Sequence, residues 1–299
     1  DAKNISIEAN AGSLIEGTQT VGGVISDIQM NGGLTANYSN FSASGLTIKA
    51  VQNVGGISGI IAYQALDGAT VENVNLVCND VRTGIVSGSR AGNVTLTNVS
   101  YENVTGATHV IGASYDGTMI SVATADELVA ALEKGKGVYF ENDIKIEPAS
   151  MSNAYGKTGI NVKNGQTIDG NGHTLNIQGA GGTWDSGINT TGGLIKNITV
   201  TGSFRGIFIN HTSDHSEKVV LENVTLEGVT YTISCDQGLY QGIEATNCTF
   251  NGWTSFAKTA GEAKFVNCNF GVGNGYKYCR PYSNTEFVRC TFCPGYTVD

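Results

Sequence analysis

The stretch GLIKNITVTG, residues 193–202, returns four times in the chain that follows it: as VVLENVTLEG (219–228), IEATNCTFNG (243–252), AKFVNCNFGV (263–272) and TEFVRCTFCP (285–294). Each stretch has a polar anchor at its centre, and successive anchors lie 26, 24, 20 and 22 residues apart: Asn197, Asn223, Asn247, Asn267 and Arg289. Mostly apolar residues stand four and two positions before each anchor and one and three positions after it. This alternation, reset at the anchor and repeated every 20–26 residues, predicts a solenoid of short β-strands.

The anchors predict a ladder along one corner of the solenoid. Asn tolerates the left-handed backbone conformation better than other residues with a side chain, so it suits a corner between two strands. Side-chain amides stacked on successive coils can then hydrogen-bond to one another along the stack. A leucine-rich repeat also carries such a ladder, but its Leu-rich consensus is missing here.

The N-terminal half shows the same pattern more weakly. Asn73 and Asn98 stand 25 residues apart with apolar neighbours at the expected positions, and Gly45 and Asp27 serve as degenerate anchors. We therefore predict two modules, residues 1–118 and 119–299, each a β-solenoid.

One segment, TADELVAALEKG (124–135), has the pattern of a helix. Thr124 and Glu127 form a capping box, Leu128 and Leu132 share a face, and Gly135 follows as a stop. We predict a short α-helix near residues 125–134 that covers the open apolar end of the second module.

The composition excludes several classes of partner. The chain has 299 residues, 41 Gly, 3 Pro and a net charge of −9 without a basic stripe, so we expect no nucleic-acid partner. No apolar run is long enough for a membrane span, and no signal segment is present. Few Lys residues and many Thr and Asn residues are typical of an exported protein, so we expect an extracellular or cell-surface location, with the periplasm as the alternative. The sequence leaves the oligomeric state open.

Seven cysteines allow two interpretations. Cys248, Cys268 and Cys290 follow three successive anchors directly, which predicts a buried column of small apolar side chains. The alternative is a zinc site at Cys290-x-x-Cys293, joined by Cys279, but a single pair is a weak metal motif. We expect no metal and no cofactor.

The run TADELVAALEKGKGVYFENDIKI (124–146), then GQTIDGNGHTLNI (165–177) and the anchored repeats, resembles the pectin-lyase-like right-handed parallel β-helix superfamily. VGGISGIIA (54–62) and RTGIVSGSRAG (82–92) look like repeats of bacterial surface adhesins. The resemblance implies an all-β, right-handed parallel β-helix with an Asn ladder. It does not imply one chemistry, because the superfamily includes lyases, hydrolases, phage tailspikes and non-catalytic adhesins.

In that superfamily the functional groove follows the strand after the Asn corner, here 206–210, 232–236, 255–258 and 277–280. Alternation turns Phe208, Ser234, Phe256 and Tyr278 outward. The ends of these strands form a polar column: Asn210, Asp236, Lys258 and Arg280.

Two interpretations of this column stay open. With Tyr278, it forms a binding site for a carboxylated or sulfated sugar, in which Asp236, Lys258 and Arg280 are the candidates for catalysis. Alternatively, the column is a ladder of surface ion pairs that has no catalytic role, and we favour this interpretation. The Asn-Thr-Asp with Asp-Asp, Gly-His-Gly and Arg-Ile-Lys motifs of polygalacturonases are missing.

The sequence therefore predicts a non-catalytic, adhesin-like protein that binds a glycan or a cell-surface protein. The alternatives are a polysaccharide lyase or glycoside hydrolase acting on an acidic polysaccharide, and a trimeric phage tailspike component.

Overall fold

The structure is a computed structural model that describes residues 2–29, 38–92, 94–114, 116–147, 152–154, 157–177, 185–209, 218–235, 242–256, 262–281 and 284–299. The chain divides into two compact units, residues 1–121 and 122–299. Within the described ranges, no helix combines the length and the apolar character needed to cross a membrane.

The N-terminal unit is built from three sheets whose described strands run parallel, as expected for a solenoid with three strands in a coil. The first sheet contains Ala2–Glu16, Tyr38–Lys49, Ala65–Glu72, Asn75–Val77 and Thr95–Glu102. The second contains Ile25–Gln29, Ser58–Ala62 and Ser87–Ala91, and the third contains Thr20–Gly22, Asn53–Gly55 and Thr83–Gly84.

The C-terminal unit has two long sheets, so the predicted all-β parallel β-helix is confirmed. The thirteen-stranded sheet contains Met119–Val122, Gly137–Phe140, Ile144–Ile146, Thr167–Asp169, Thr174–Ile177, Gly193–Thr201, Val219–Leu226, Ile243–Thr246, Thr249–Asn251, Ala263–Val266, Asn269–Gly271, Thr285–Val288 and Thr291–Phe292. The eight-stranded sheet contains Ser152–Ala154, Lys157–Val162, Asp185–Thr190, Arg205–Ile209, Tyr231–Cys235, Trp253–Phe256, Tyr278–Arg280 and Thr297–Val298. The pairing is parallel except between the first two strands of the eight-stranded sheet.

The predicted anchors are left-handed corners of the thirteen-stranded sheet. All five have φ between 51° and 56°, and their side chains form a continuous ladder. The amide of Asn223 donates to Asn197 Oδ1 at 2.9 Å, Asn247 to Asn223 at 3.4 Å, and Asn267 to Asn247 at 3.2 Å. Arg289 ends it by donating from Nε to Asn267 Oδ1 at 2.8 Å. The predicted ladder is confirmed in this unit.

The corners of the N-terminal unit differ from the prediction in register. Asn98 lies opposite Gly68, since Thr97 pairs with Asp67 and Val99 with Ala69, whereas Asn73 is the partner of Asn103, whose amide donates to it at 3.1 Å. Three successive coils therefore have two left-handed corners five residues apart, at 40 and 45, 68 and 73, and 98 and 103, and the repeat is 28 residues between the first two of these coils and 30 residues between the last two. The prediction that Asn73 and Asn98 are successive anchors is wrong. Asn73 is the second corner of its coil and Asn98 is the first corner of the next, so their spacing of 25 residues is the repeat of 30 residues minus the five residues between two corners. Asp27 is not an anchor either, because it lies within Ile25–Gln29 and pairs with Ile60.

The predicted helix is confirmed at Ala125–Glu133. Thr124 Oγ1 accepts from the Glu127 amide, and Glu127 accepts from the Thr124 amide, which completes the capping box. Leu128 and Leu132 are buried, and the helix packs against Gly137–Phe140, Ile144–Ile146 and Lys157–Val162. It therefore covers the first coils of this unit.

Candidate functional site

An aromatic column runs along one edge of the eight-stranded sheet. Parallel pairing places Arg205 opposite Tyr231, Tyr231 opposite Trp253, and Trp253 opposite Tyr278. Neighbouring strands lie about 4.8 Å apart, so side chains at equivalent positions stack directly on one another. The sequence carries this pattern, because 22 residues separate Tyr231 from Trp253 and 25 separate Trp253 from Tyr278, close to the anchor spacing.

The rings of this column pack in defined geometries. Tyr231 and Trp253 are stacked, with centroids 4.7 Å apart and planes 21° apart. Trp253 also stacks on Tyr276 at 5.8 Å and meets Tyr278 edge-on at 5.3 Å. These arrangements are the ones that aromatic pairs prefer, so the column is a rigid surface.

Arg205 closes the column at its N-terminal end. Its guanidinium carbon lies 4.6 Å from the centroid of Tyr231, a cation–π contact, and Nη1 donates to Ser234 Oγ. Arg205 and Ser234 are buried, whereas Tyr231, Trp253 and Tyr278 are half-buried and Tyr276 is 43% exposed. The accessible part of this face therefore lies towards the C-terminal coils.

The structure corrects the predicted exposure of the outer face of this sheet. Phe208 and Ser234 were expected to face solvent, but both are buried. Alternation gives the side of the sheet on which a residue lies, but it does not show what covers that side. Tyr278 is half-buried, and the side chain of Phe256 lies outside the described residues.

The predicted polar column is only partly described. Asn210, Asp236 and Lys258 lie outside the described residues, as do His211, Asp214 and His215. Arg280 is exposed, pairs in register with Ser255, and lies two residues after Tyr278 on the same strand. Tyr278 Oη donates to Asp299 Oδ2 at 2.9 Å, and this hydrogen bond raises the pKa of Tyr278. The structure therefore brings Tyr278 and Arg280 together beside Trp253. We call Tyr231, Trp253, Tyr276, Tyr278 and Arg280 the aromatic patch.

A second surface feature, which the sequence interpretation missed, is a charged cleft on the thirteen-stranded sheet. Its volume is about 590 Å³, and nine residues line it: Lys218, Ile243, Glu244, Glu262, Ala263, Lys264, Asn284, Thr285 and Glu286. Lys218 pairs with Glu244, and Lys264 with Glu286 at 3.0 Å. Glu244, Lys264 and Glu286 each stand three residues before an anchor and pair in register on successive strands. This alternation of charge in the sequence could have indicated the cleft.

Two ion pairs, Lys218–Glu244 and Lys264–Glu286, offset most of the charge of the cleft, to which Glu262 adds a third carboxylate. The hydrogen bond to Glu244 raises the pKa of the exposed Lys218, so this ammonium stays protonated at neutral pH. A protonated lysine in an ion pair is a poor general base. The cleft therefore has the character of an ion-pair ladder.

The predicted buried column is confirmed for Cys248 and Cys268, whereas Cys290 is half-buried. Cys248, Cys268 and Cys290 each donate to a carbonyl of the preceding coil: Leu221 at 3.6 Å, Ala245 at 3.6 Å and Phe265 at 3.4 Å. The hydrogen bond with Cys268 and burial raise the pKa of Cys248, and burial raises the pKa of Cys290. Among the residues that the structure describes, no group of three His, Cys, Asp or Glu side chains could hold a metal ion.

Arg82 and Asp116 of the N-terminal unit have structural partners. Arg82 donates to both oxygens of Asp80, at 2.7 and 2.6 Å. Arg90 lies in the strand Ser87–Ala91 and is only 5% exposed. Asp116 accepts three hydrogen bonds from Ser114 and Thr118.

Comparison with known proteins gives a match to one protein family. No curated protein and no solved structure matches the chain. A family model matches residues 119–235, which run from the first strand of the thirteen-stranded sheet to Cys235 and end before Trp253 and Arg280. Over these residues, the chain is similar to the pectate lyase-like adhesive domain family.

Proposed function

We propose that this chain is an exported or cell-surface protein of bacterial origin, non-catalytic and adhesin-like, that binds a glycan through the aromatic patch. The observation that carries the proposal is the stack of Tyr231 and Trp253, bordered by Tyr276, Tyr278 and the exposed Arg280. Tyr and Trp side chains offer apolar ring surface together with a polar group, which suits a sugar with C–H faces and hydroxyls. Arg280 adds donors that fit a carboxylate or sulfate substituent.

The shape of the patch favours adhesion over turnover. Arg205 and Trp253 cover the ring faces of Tyr231, and Tyr231 and Tyr276 cover those of Trp253. A ligand therefore meets ring edges at these two residues and apolar ring surface at the exposed Tyr276. A hydrolase needs two carboxylates on either side of one bond. One carboxylate beside the patch, Asp299, accepts the hydroxyl hydrogen bond of Tyr278. The similarity of residues 119–235 to an adhesive domain supports the same proposal.

Binding should be measured by calorimetry against a panel of neutral and acidic polysaccharides. We expect Trp253→Ala to weaken binding about tenfold or more, equivalent to ~1.4 kcal/mol, because the alanine removes the centre of the patch. Arg280→Ala should weaken binding to acidic members of the panel only. Tyr101→Ala is the matched control, since Tyr101 is an exposed aromatic residue of the N-terminal unit.

The same panel tests the enzymatic alternative. Release of unsaturated or reducing ends would be followed for the wild-type chain and for Arg280→Ala. Turnover that disappears in Arg280→Ala would overturn the non-catalytic proposal. Binding that survives Trp253→Ala would exclude the aromatic patch as the glycan site.

A further inference from the structure

Two thiols of the last two coils lie in register. Thr249 pairs with Asn269, and Asn269 with Thr291, so the residues before them, Cys248, Cys268 and Cys290, also occupy equivalent positions. Neighbouring parallel strands lie about 4.8 Å apart, and a disulfide spans Cα atoms about 4.4–6.8 Å apart. Adjacent members of this column are therefore within the range that a disulfide can bridge.

The Cys290-x-x-Cys293 motif does not provide the same geometry. The Thr291 amide donates to Cys268 O, and the Cys293 amide donates to Phe270 O, so this segment runs extended beside residues 268–270. Three residues of extended chain span about 10 Å, and thiols on Cα atoms more than about 7 Å apart cannot be bridged without backbone movement. The sequence motif is therefore a poor disulfide pair, and the partner of Cys290 on the next coil is the better one.

The solvent exposure of the three thiols indicates which adjacent pair an oxidant can reach. Cys248 and Cys268 are buried, whereas Cys290 is half-buried and open to a small oxidant. The strands on either side of Cys290, Thr285–Val288 and Thr291–Phe292, each pair with one neighbour in the described sheet. This coil can therefore shift by the few tenths of an ångström that bring two in-register Cβ atoms into disulfide range.

We propose that Cys268 and Cys290 form an oxidative cross-link site that fastens the last described coil to its neighbour. With hydrogen peroxide as the oxidant, Cys290 is the thiol that the oxidant reaches, although burial raises its pKa. The thiolate formed when Cys290 loses its proton attacks one peroxide oxygen, which gives a sulfenic acid, and the released hydroxide takes up that proton to give one water. The Cys268 sulfur then attacks the sulfenic sulfur, and the sulfenic oxygen leaves with the Cys268 proton as a second water. Two thiols and one peroxide thus become one disulfide and two waters.

The cross-link would add to contacts that already hold the last coil. Phe287 stacks on Phe265 at 5.4 Å, and Phe292 stacks on Phe270 at 4.8 Å. Phe292 is nevertheless 37% exposed. A covalent bond at position 290 restricts fraying of this coil, and it does so whether or not the chain binds a glycan.

Peptide mapping of the full chain tests the proposal. The chain is oxidised with hydrogen peroxide, the remaining thiols are alkylated, and trypsin then releases residues 265–277 with Cys268 and residues 290–299 with Cys290 and Cys293. We expect these two peptides to be linked and to lose two hydrogen atoms relative to the reduced pair. The link should persist in Cys293→Ser and fall to background in Cys290→Ser.

Wild-type mapping decides the question even if a variant fails to fold, provided that the linked peptides are fragmented, because the fragment masses tell a link at Cys290 from one at Cys293. A link at Cys293 would overturn the proposal. A bond within residues 290–299, a bond between Cys248 and Cys268, or the absence of any disulfide in the oxidised, folded chain would each overturn the proposal.

Discussion

At the scale of single residues, the corner amides stabilise the fold in two separate ways. Asn223 has φ of 54°, and its side chain donates to Asn197 at 2.9 Å and accepts from Asn247 at 3.4 Å. A left-handed conformation costs an ordinary residue about 1–2 kcal/mol, and each hydrogen bond contributes roughly 1 kcal/mol. We therefore expect Asn223→Ala to lower the free energy of unfolding by about 2–4 kcal/mol, measured by chemical denaturation.

A matched substitution separates these two contributions. Asn223→Gly keeps the left-handed conformation without strain but loses both ladder bonds. It should therefore destabilise the chain less than Asn223→Ala. Equal losses in the two variants would show that backbone conformation contributes little at this corner.

The ladder also shows what the sequence could reveal about single positions. Asn98 donates to Asp67 Oδ1 at 2.7 Å, because Gly68 occupies the equivalent left-handed corner and has no side chain. Asn197 likewise donates to Asp169 Oδ1 at 3.0 Å, whereas the left-handed residue of that coil, Asn171, donates its amide to Phe140 O. An Asp-Gly pair can thus replace Asn in the ladder. Four C-terminal anchors followed from Asn and the fifth, Arg289, from the repeat around it, whereas the Asp-Gly substitution hid the register of the N-terminal coils.

At the scale of elements, the helix is attached to the solenoid by one buried amide. Gln166 Nε2 donates to Leu132 O at 2.8 Å and to Lys136 O at 3.0 Å, and Oε1 accepts from the Lys163 amide at 2.8 Å. Gln166→Leu keeps the apolar volume but removes all three bonds, and a buried polar group that loses its partner costs about 1–3 kcal/mol. We expect a loss of roughly 2–4 kcal/mol in denaturant unfolding.

Thr124→Ala provides the comparison for this prediction. It removes the helix cap at the opposite end and should cost only about 1 kcal/mol. A loss from Gln166→Leu no larger than that from Thr124→Ala would show that the amide does not attach the helix.

The turn at Asp116 should make the stability of the N-terminal unit depend on pH. The hydrogen bond from Ser114 at 2.5 Å, followed by those from Thr118, lowers the pKa of Asp116 to about 2. Because the folded pKa lies below the unfolded value of about 3.9, the contribution is complete above that value and is lost as the pH falls towards 2. Solvent screening reduces its size, since Asp116 is exposed.

Asp116→Asn removes the titrating group from this turn. The variant should be less stable at neutral pH and should lose less stability than the wild type on acidification, measured by urea unfolding at several pH values. Parallel pH profiles for the two chains would contradict the assignment.

Elements were easier to predict than the faces they expose. The strands after each corner and the helix at Ala125–Glu133 followed from alternation and capping. The burial of Phe208 and the packing of Arg205 against Tyr231 did not, because both depend on groups distant in sequence. Tyr278 and Arg280 lie two residues apart on one strand, so their proximity could be predicted from the sequence, and their role in binding stays a prediction. The stack formed by Tyr231 and Trp253 could not be predicted in the same way.

At the scale of the whole molecule, we propose that the predicted module boundary at residues 118 and 119 separates two folding units. The thirteen-stranded sheet begins with Met119–Val122, and the Glu141 amide donates to Val122 O. A fragment must therefore start at residue 119 to keep this strand complete. The stability of a solenoid is approximately the sum of the intrinsic stability of each coil and the stabilisation from the interfaces between neighbouring coils. The exposed ends of the first and last coils must be capped.

We expect residues 119–299 to fold alone and to unfold cooperatively, measured by circular dichroism during urea titration. Residues 137–299 are the matched control, because this shorter fragment lacks the strand and the helix whose Leu128 and Leu132 are buried. Removing that cover exposes the apolar end of the first coil, so the shorter fragment should unfold at lower urea or aggregate. Equal midpoints for the two fragments would show that the helix is not a cover, and failure of residues 119–299 to fold would show that the proposed boundary does not separate independent units.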